Sequence, residues 1–191
     1  ITSSNLPICV SADIYLANAD VTVNADGNNA IYARGDLEVD GGILNATTTA
    51  WYPAIYTDGE ILIQNHAEVT AEGGNDAIWG VAGVTIEDST VTSTSTMSDT
   101  AIYSGNNFMI KSSAIKVDSE GEYSIYEYGR LSIKDSWVES FGGKVDDSPS
   151  YTTWENMVSF QDNVGTVIGN PSILDDVEMT ADMGLTIPAD T

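Results

Sequence analysis

Five aromatic residues recur in one setting: Ala30-Ile31-Tyr32, Ala54-Ile55-Tyr56, Ala77-Ile78-Trp79, Ala101-Ile102-Tyr103 and Ser124-Ile125-Tyr126. The triplets begin at 30, 54, 77, 101 and 124, at intervals of 24, 23, 24 and 23. Neighbouring side chains of an extended chain point to opposite faces, so each isoleucine and the aromatic after it cannot share a side. Isoleucine is the more often fully buried, and tyrosine carries a hydroxyl that needs a partner. The expected arrangement therefore has the isoleucines inside and Tyr32, Tyr56, Trp79, Tyr103 and Tyr126 outside, one ring per repeat. The converse, a buried stack of alanine and aromatic with isoleucine exposed, is the competing arrangement. An outer row of amphipathic rings marks an interaction surface. Sugar rings have apolar C–H faces that stack on aromatics, while Asn, Asp and Thr take their hydroxyls. Trp51-Tyr52, in the corner before Ala54, extends the same platform in this reading.

A second candidate is the acidic run Asp36, Glu38 and Asp40, spaced by two with Leu37 and Val39 between them. With the leucine and valine inward, all three carboxylates leave one side, and Glu60 stands above Asp36 one repeat later. Oxygen clusters of this kind suit calcium, which takes about six to eight hard ligands. Repulsion between stacked carboxylates favours a bound cation. The competing reading is a solvated acidic face, in a chain with 29 Asp and Glu. Catalytic signals are sparse. A lyase base would come from Arg34, Arg130, Lys111, Lys116, Lys134 or Lys144, which are scattered. Hydrolysis needs two carboxyls facing one bond, a condition many acidic pairs meet by chance. His66 has no partner signature and reads as a surface turn residue. Cys9, between Ile8 and Val10, reads as a small buried hydrophobe.

The elements that must hold these residues follow from the period. After each triplet comes an alternating stretch: Leu37-Glu38-Val39, Ile61-Leu62-Ile63, Val84-Thr85-Ile86, Phe108-Met109-Ile110 and Leu131-Ser132-Ile133. A polar corner follows, at Asp40-Gly41-Gly42, Gln64-Asn65-His66, Glu87-Asp88-Ser89, Lys111-Ser112-Ser113 and Lys134-Asp135-Ser136. A third alternating stretch closes the repeat, clearest at Val91-Thr92-Ser93, Ile115-Lys116-Val117 and Val138-Glu139-Ser140. Ile14–Leu16 and Val21–Val23 fit the same frame as an earlier coil. One extra residue between Ile63 and Val69 implies a bulge or a longer corner.

Three short strands per period of about 23 residues, without helical periodicity, predict an all-β parallel β-helix of about six coils. Propeller blades need about 40 residues or more, and the consensus of a leucine-rich repeat is missing. At about 4.8 Å per coil the rod is roughly 29 Å long. The predicted organisation is β-helix coils over 1–145. A C-terminal cap or degenerate coils fill 146–191, with Trp154 and Phe160 plugging the last core layer.

The net charge of −23, from six Lys and Arg against 29 Asp and Glu, argues against nucleic acid and anionic membrane surfaces as partners. A hydrophobic content of 42% separates the chain from disordered polyanions. No stretch of about 18 apolar residues predicts a membrane span. A chain that begins Ile1-Thr2-Ser3-Ser4 reads as a processed or excised piece. Low lysine, abundant Thr, Ser, Asn and Asp and a single cysteine fit a secreted or cell-surface bacterial protein.

The frames NNAIYARGDLEVDGGILNATT, AIYTDGEILIQNHAEVTAEGG and SIYEYGRLSIKDSWVES resemble the carbohydrate-binding β-helix proteins of the pectate-lyase-like superfold. The resemblance covers about residues 8 to 145. It implies a right-handed β-helix, an extracellular location and, in some members, noncatalytic binding of acidic plant polysaccharides with calcium. Position by position it implies turn formers at Gly35, Gly41, Gly42, Gly59, Gly83 and Gly129 and no catalytic residue. Aromatics after isoleucine and fewer Gly-Gly corners set this chain apart. Three functions follow in order: a noncatalytic glycan-binding module using the ladder, with calcium as a candidate cofactor; a structural or adhesive stalk with a protein partner; and a polysaccharide lyase.

Overall fold

Each triplet forms a short strand in which the isoleucine is buried and the aromatic is not, as at Ile31–Ala33, Ile55–Thr57, Ile78–Gly80 and Ile102–Ser104. A computed structural model describes residues 7–97, 99–121 and 123–141. It also describes the strands Thr2–Ser3, Lys144–Val145, Thr153–Glu155, Val158–Gln161, Gly165–Gly169 and Gly184–Thr186. Among these residues there is no helix. The strands stack as a parallel β-solenoid of six coils with three faces.

The first face carries the triplets, in register from Ile8–Val10 up to Tyr123–Glu127. The second carries Glu60–Gln64, Gly83–Glu87, Phe108–Lys111 and Leu131–Lys134. The third carries Glu68–Gly73, Thr90–Ser95, Ala114–Ser119 and Trp137–Phe141. In the first two coils the second and third strands run on as single bent strands, Ile14–Ala25 and Leu37–Thr48, rather than as separate short ones.

The core is a set of columns, each filled by like residues one coil apart. Ile31, Ile55, Ile78, Ile102 and Ile125 are 0–1% exposed. Beside them run Leu37, Ile61, Val84, Phe108 and Leu131, then Val39, Ile63, Ile86, Ile110 and Ile133, all buried. Like residues held in register on every coil turn a weak period in sequence into a continuous apolar core.

The corner between the second and third faces needs a left-handed backbone, and it falls in one column: Asn18 (φ 46°), Gly41 (69°), Asn65 (58°), Asp88 (49°), Ser112 (49°) and Asp135 (47°). Gly, Asn and Asp tolerate this region, so the polar corners of the sequence have a backbone cause. The extra residue of the third coil is taken up here, since His66 (φ 62°) follows Asn65 in the same conformation. At Gly42, also at positive φ, a Cβ would come within 2.5 Å of the backbone of Ala19. Inside the corner a serine ladder closes the backbone. Ser89 Oγ, Ser113 Oγ and Ser136 Oγ accept from the N–H groups of Ala67, Ser89 and Ser113 one coil below.

Cys9 is exposed, against expectation. Its neighbours Ile8 and Val10 take the inward positions, which puts Cys9 in the aromatic column, opposite Tyr32. Apolar neighbours in an alternating strand indicate the opposite face.

Above the sixth coil, Lys144–Val145 and Thr153–Glu155 continue the first and second faces in parallel. On the third face the stacking changes direction. Gly165–Gly169 pairs antiparallel with Trp137–Phe141, and Val158–Gln161 and Gly184–Thr186 follow, also antiparallel. The rest of the segment expected to be a cap, and the side chains of Trp154 and Phe160, lie outside the described residues.

Candidate functional site

The first face places all five aromatics in one outward column, each partly exposed. Ring centroids lie 5.5 Å apart for Tyr32–Tyr56, 5.3 Å for Tyr56–Trp79, 4.8 Å for Trp79–Tyr103 and 5.6 Å for Tyr103–Tyr126. These separations follow from the spacing of neighbouring parallel strands. The end pairs are stacked, at 29° and 15°, while Trp79 is tilted by 74° and 55° against its two neighbours. The ladder is thus a contacting stack as well as a surface, and its rings turn partly toward one another. The indole N–H of Trp79 is buried within it without a hydrogen-bond partner.

Two residues extend the site beyond the sequence reading. Asp58 accepts from the hydroxyl of Tyr32 at 3.2 Å and from that of Tyr56 at 3.1 Å. Burial, followed by this hydrogen bond and the Asp58 charge, pushes the Tyr56 hydroxyl up to about 12. Tyr128, 70% exposed, stands nearly perpendicular to Tyr103 (77°) and Tyr126 (88°), at 5.9 and 5.4 Å. Tyr123 meets Tyr126 edge-on at 5.3 Å. Asp58 and Tyr128 each lie two positions after a ladder aromatic, and alternation alone assigns them to the same face. Burial and a hydrogen bond to Tyr128 raise the Tyr103 hydroxyl above its ordinary value. Trp51 is 58% exposed, but no ring contact joins it to the ladder among the described residues.

The acidic run sits on the second face in the expected register, with Leu37 opposite Ile61 and hence Asp36 opposite Glu60. Its carboxylates are engaged within the protein. Asp36 Oδ1 accepts from the Glu60 N–H at 2.8 Å, and Glu38 Oε1 from Gln64 Nε2 at 2.8 Å. Asp40 accepts from Asn65 Nδ2 at 2.6 Å and the Tyr15 hydroxyl at 2.8 Å, which together hold its carboxyl below the usual range. Gly59 is small because Asp36 reaches over it: a Cβ there would lie 2.2 Å from Asp36 Oδ1. Among the described residues no three His, Cys, Asp or Glu side chains come together as a metal-binding group.

His66 pairs with Asp88 at 3.2 Å beside a shallow depression lined by Glu68, Ser89, Thr90, Ser112 and Ala114. Both members of that pair are open to solvent. Lys111 is paired with Glu87, and Lys116 lies over the Phe141 ring at 5.2 Å. No helix long and apolar enough to cross a membrane occurs among the described residues.

No family model, curated protein or solved structure matches the chain significantly.

Proposed function

We propose that this β-solenoid is a noncatalytic, extracellular glycan-binding module whose ligand lies along the aromatic ladder. The observation that carries the reading is the outward position of an aromatic on five consecutive coils, continued by the open ring of Tyr128. Rings inside the stack turn part of their faces to each other, so Tyr128 offers the freest stacking surface. Asp58, fixed between two tyrosine hydroxyls, is an acceptor for sugar hydroxyls at the other end. A net charge of −23 favours an uncharged polysaccharide over a uronan. A glycan array, run with and without chelator, is expected to show binding to neutral polysaccharide. Tyr128→Ala is expected to lower that affinity about tenfold, the loss of one open stacking partner at about 1.4 kcal/mol. Absence of glycan binding in both conditions leaves the stalk reading in its place.

That second reading has its own support: a rod of stacked coils whose ladder also suits an aromatic-rich protein contact. The lyase reading gains nothing from the arrangement: of its candidate bases, Lys111 is paired with Glu87 and Lys116 lies over the Phe141 ring. Calcium enters the proposal as an ion drawn to the second face, where hydrogen bonds occupy one oxygen each of Asp36 and Glu38. Millimolar calcium is expected to raise the melting temperature above that in sodium chloride of matched ionic strength, since a ligand of the folded state stabilises it by mass action. Screening alone makes the two equal. Asp36→Asn with Glu38→Gln is expected to remove the difference. If the difference persists, the ion binds elsewhere.

A further inference from the structure

The corner before each triplet holds neutral residues in most coils, Asn29, Pro53 and Thr100 among them, but the fourth coil places Asp76 there. Asp76 is 3% exposed and its Oδ1 is buried without a hydrogen-bond partner. Asn75 Oδ1 and Trp79 Nε1, on the same short stretch, are buried and unpartnered as well. On the next coil the Thr100 N–H donates to Asp99 Oδ1 at 3.0 Å, and both the Asp99 charge and the Thr100 N–H act on the Asp76 carboxyl. Among the described residues, the titratable groups that face Asp76 are Asp99, from the corner above, and Tyr103, from the strand above. The equivalent position on the coil below is Pro53, and among the described residues no salt bridge involves Asp76.

Such a carboxyl is costly as an anion, because burial and a like charge both oppose ionisation. Oδ1 is closed off from solvent, and no group of three metal-binding side chains forms here among the described residues, so the proton is the ligand that fits. Burial first, then the Asp99 charge, pushes the Asp76 carboxyl up to about 7, against a smaller opposing pull from the N–H groups of Asp76 and Thr100.

We propose that Asp76 is a pH-sensitive latch on the ladder: as a neutral acid it closes the corner between the fourth and fifth coils, and its ionisation opens that corner and loosens Trp79 against Tyr103. A carboxyl raised in the folded state gives stability that is fully present below the ordinary carboxylate range. This stability is lost as pH climbs toward about 7 and is constant above it. The module is therefore tightest in acidic surroundings, whichever ligand the ladder takes.

The test is a melting series from pH 5.5 to 8.5 on the intact chain in a His66→Gln background, which removes the chain's one histidine. The melting temperature is expected to fall by several degrees across the window. Asp76→Asn is expected to flatten the series and raise its upper end, and Asp99→Asn to reduce the fall in part. An unchanged slope in Asp76→Asn overturns the latch. Should that variant fail to fold, carboxyl carbon NMR of the unaltered protein decides: a midpoint near 7 for Asp76 supports the proposal, and one in the ordinary aspartate range overturns it.

Discussion

Truncation of Phe108, the largest of the fully buried side chains among the described residues, to alanine is expected to cost about 3–5 kcal/mol. Phe108 is fully buried, and in its column it rests between Val84 below and Leu131 above. Backbone hydrogen bonds on both sides hold those coils at a fixed spacing, so the layer cannot collapse into the void. Much of the cost is then cavity rather than transfer. Met109, the next residue, points outward and is 38% exposed. Met109→Ala is expected to change stability by about 0.5 kcal/mol or less. Urea denaturation followed by circular dichroism measures both. Similar losses for the two would mean that the second face does not alternate as described. Since each coil contacts only its neighbours, the damage is expected to spread to the adjoining coils first, with a broadened transition.

The second large effect is expected at Trp79, where stability and binding are coupled. Its ring touches Tyr56 at 5.3 Å and Tyr103 at 4.8 Å. Each aromatic pair contributes about 0.5–1.5 kcal/mol, so Trp79→Ala is expected to lower stability by about 1–3 kcal/mol. That is well short of a core truncation. If the ladder is the glycan platform, the same change also removes the central stacking residue, and affinity is expected to fall about 30-fold, the equivalent of about 2 kcal/mol. The comparison variant is Tyr103→Phe, which keeps the ring and loses the hydroxyl that meets Tyr128. It is expected to keep most of the stability. Calorimetric titration at a temperature well below both melting points separates the two roles. Loss of stability with unchanged affinity makes the ladder a structural stack only; loss of affinity in a folded protein makes it a binding face.

The period, the three strands per coil, the inward isoleucines and the outward aromatics were all legible in the chain, because a parallel solenoid repeats one local environment on every coil. Alternation with a period of two assigns faces without knowledge of any distant contact, and a repeat near 23 residues stacks like on like. The same rule, applied two positions further, reaches Asp58 and Tyr128 and corrects Cys9, so those three were within reach of the sequence. Other features depend on neighbours from different coils. The left-handed backbone at Asn18 or Ser112 is set by the corner the stack imposes. Trp79 and its neighbours are tilted where the end rings stack, a result of ring shape on adjacent strands. The acids at Asp36, Glu38 and Asp40 looked alike as a spacing, yet Glu60, Gln64, Asn65 and Tyr15 give each a different partner. Asp76 is one of 29 acids in the sequence. Only the closure of the corner by the next coil, with Asp99 and Thr100 laid over it, makes its ionisation costly, because burial and like-charge proximity are properties of the stacked chain and not of any one repeat.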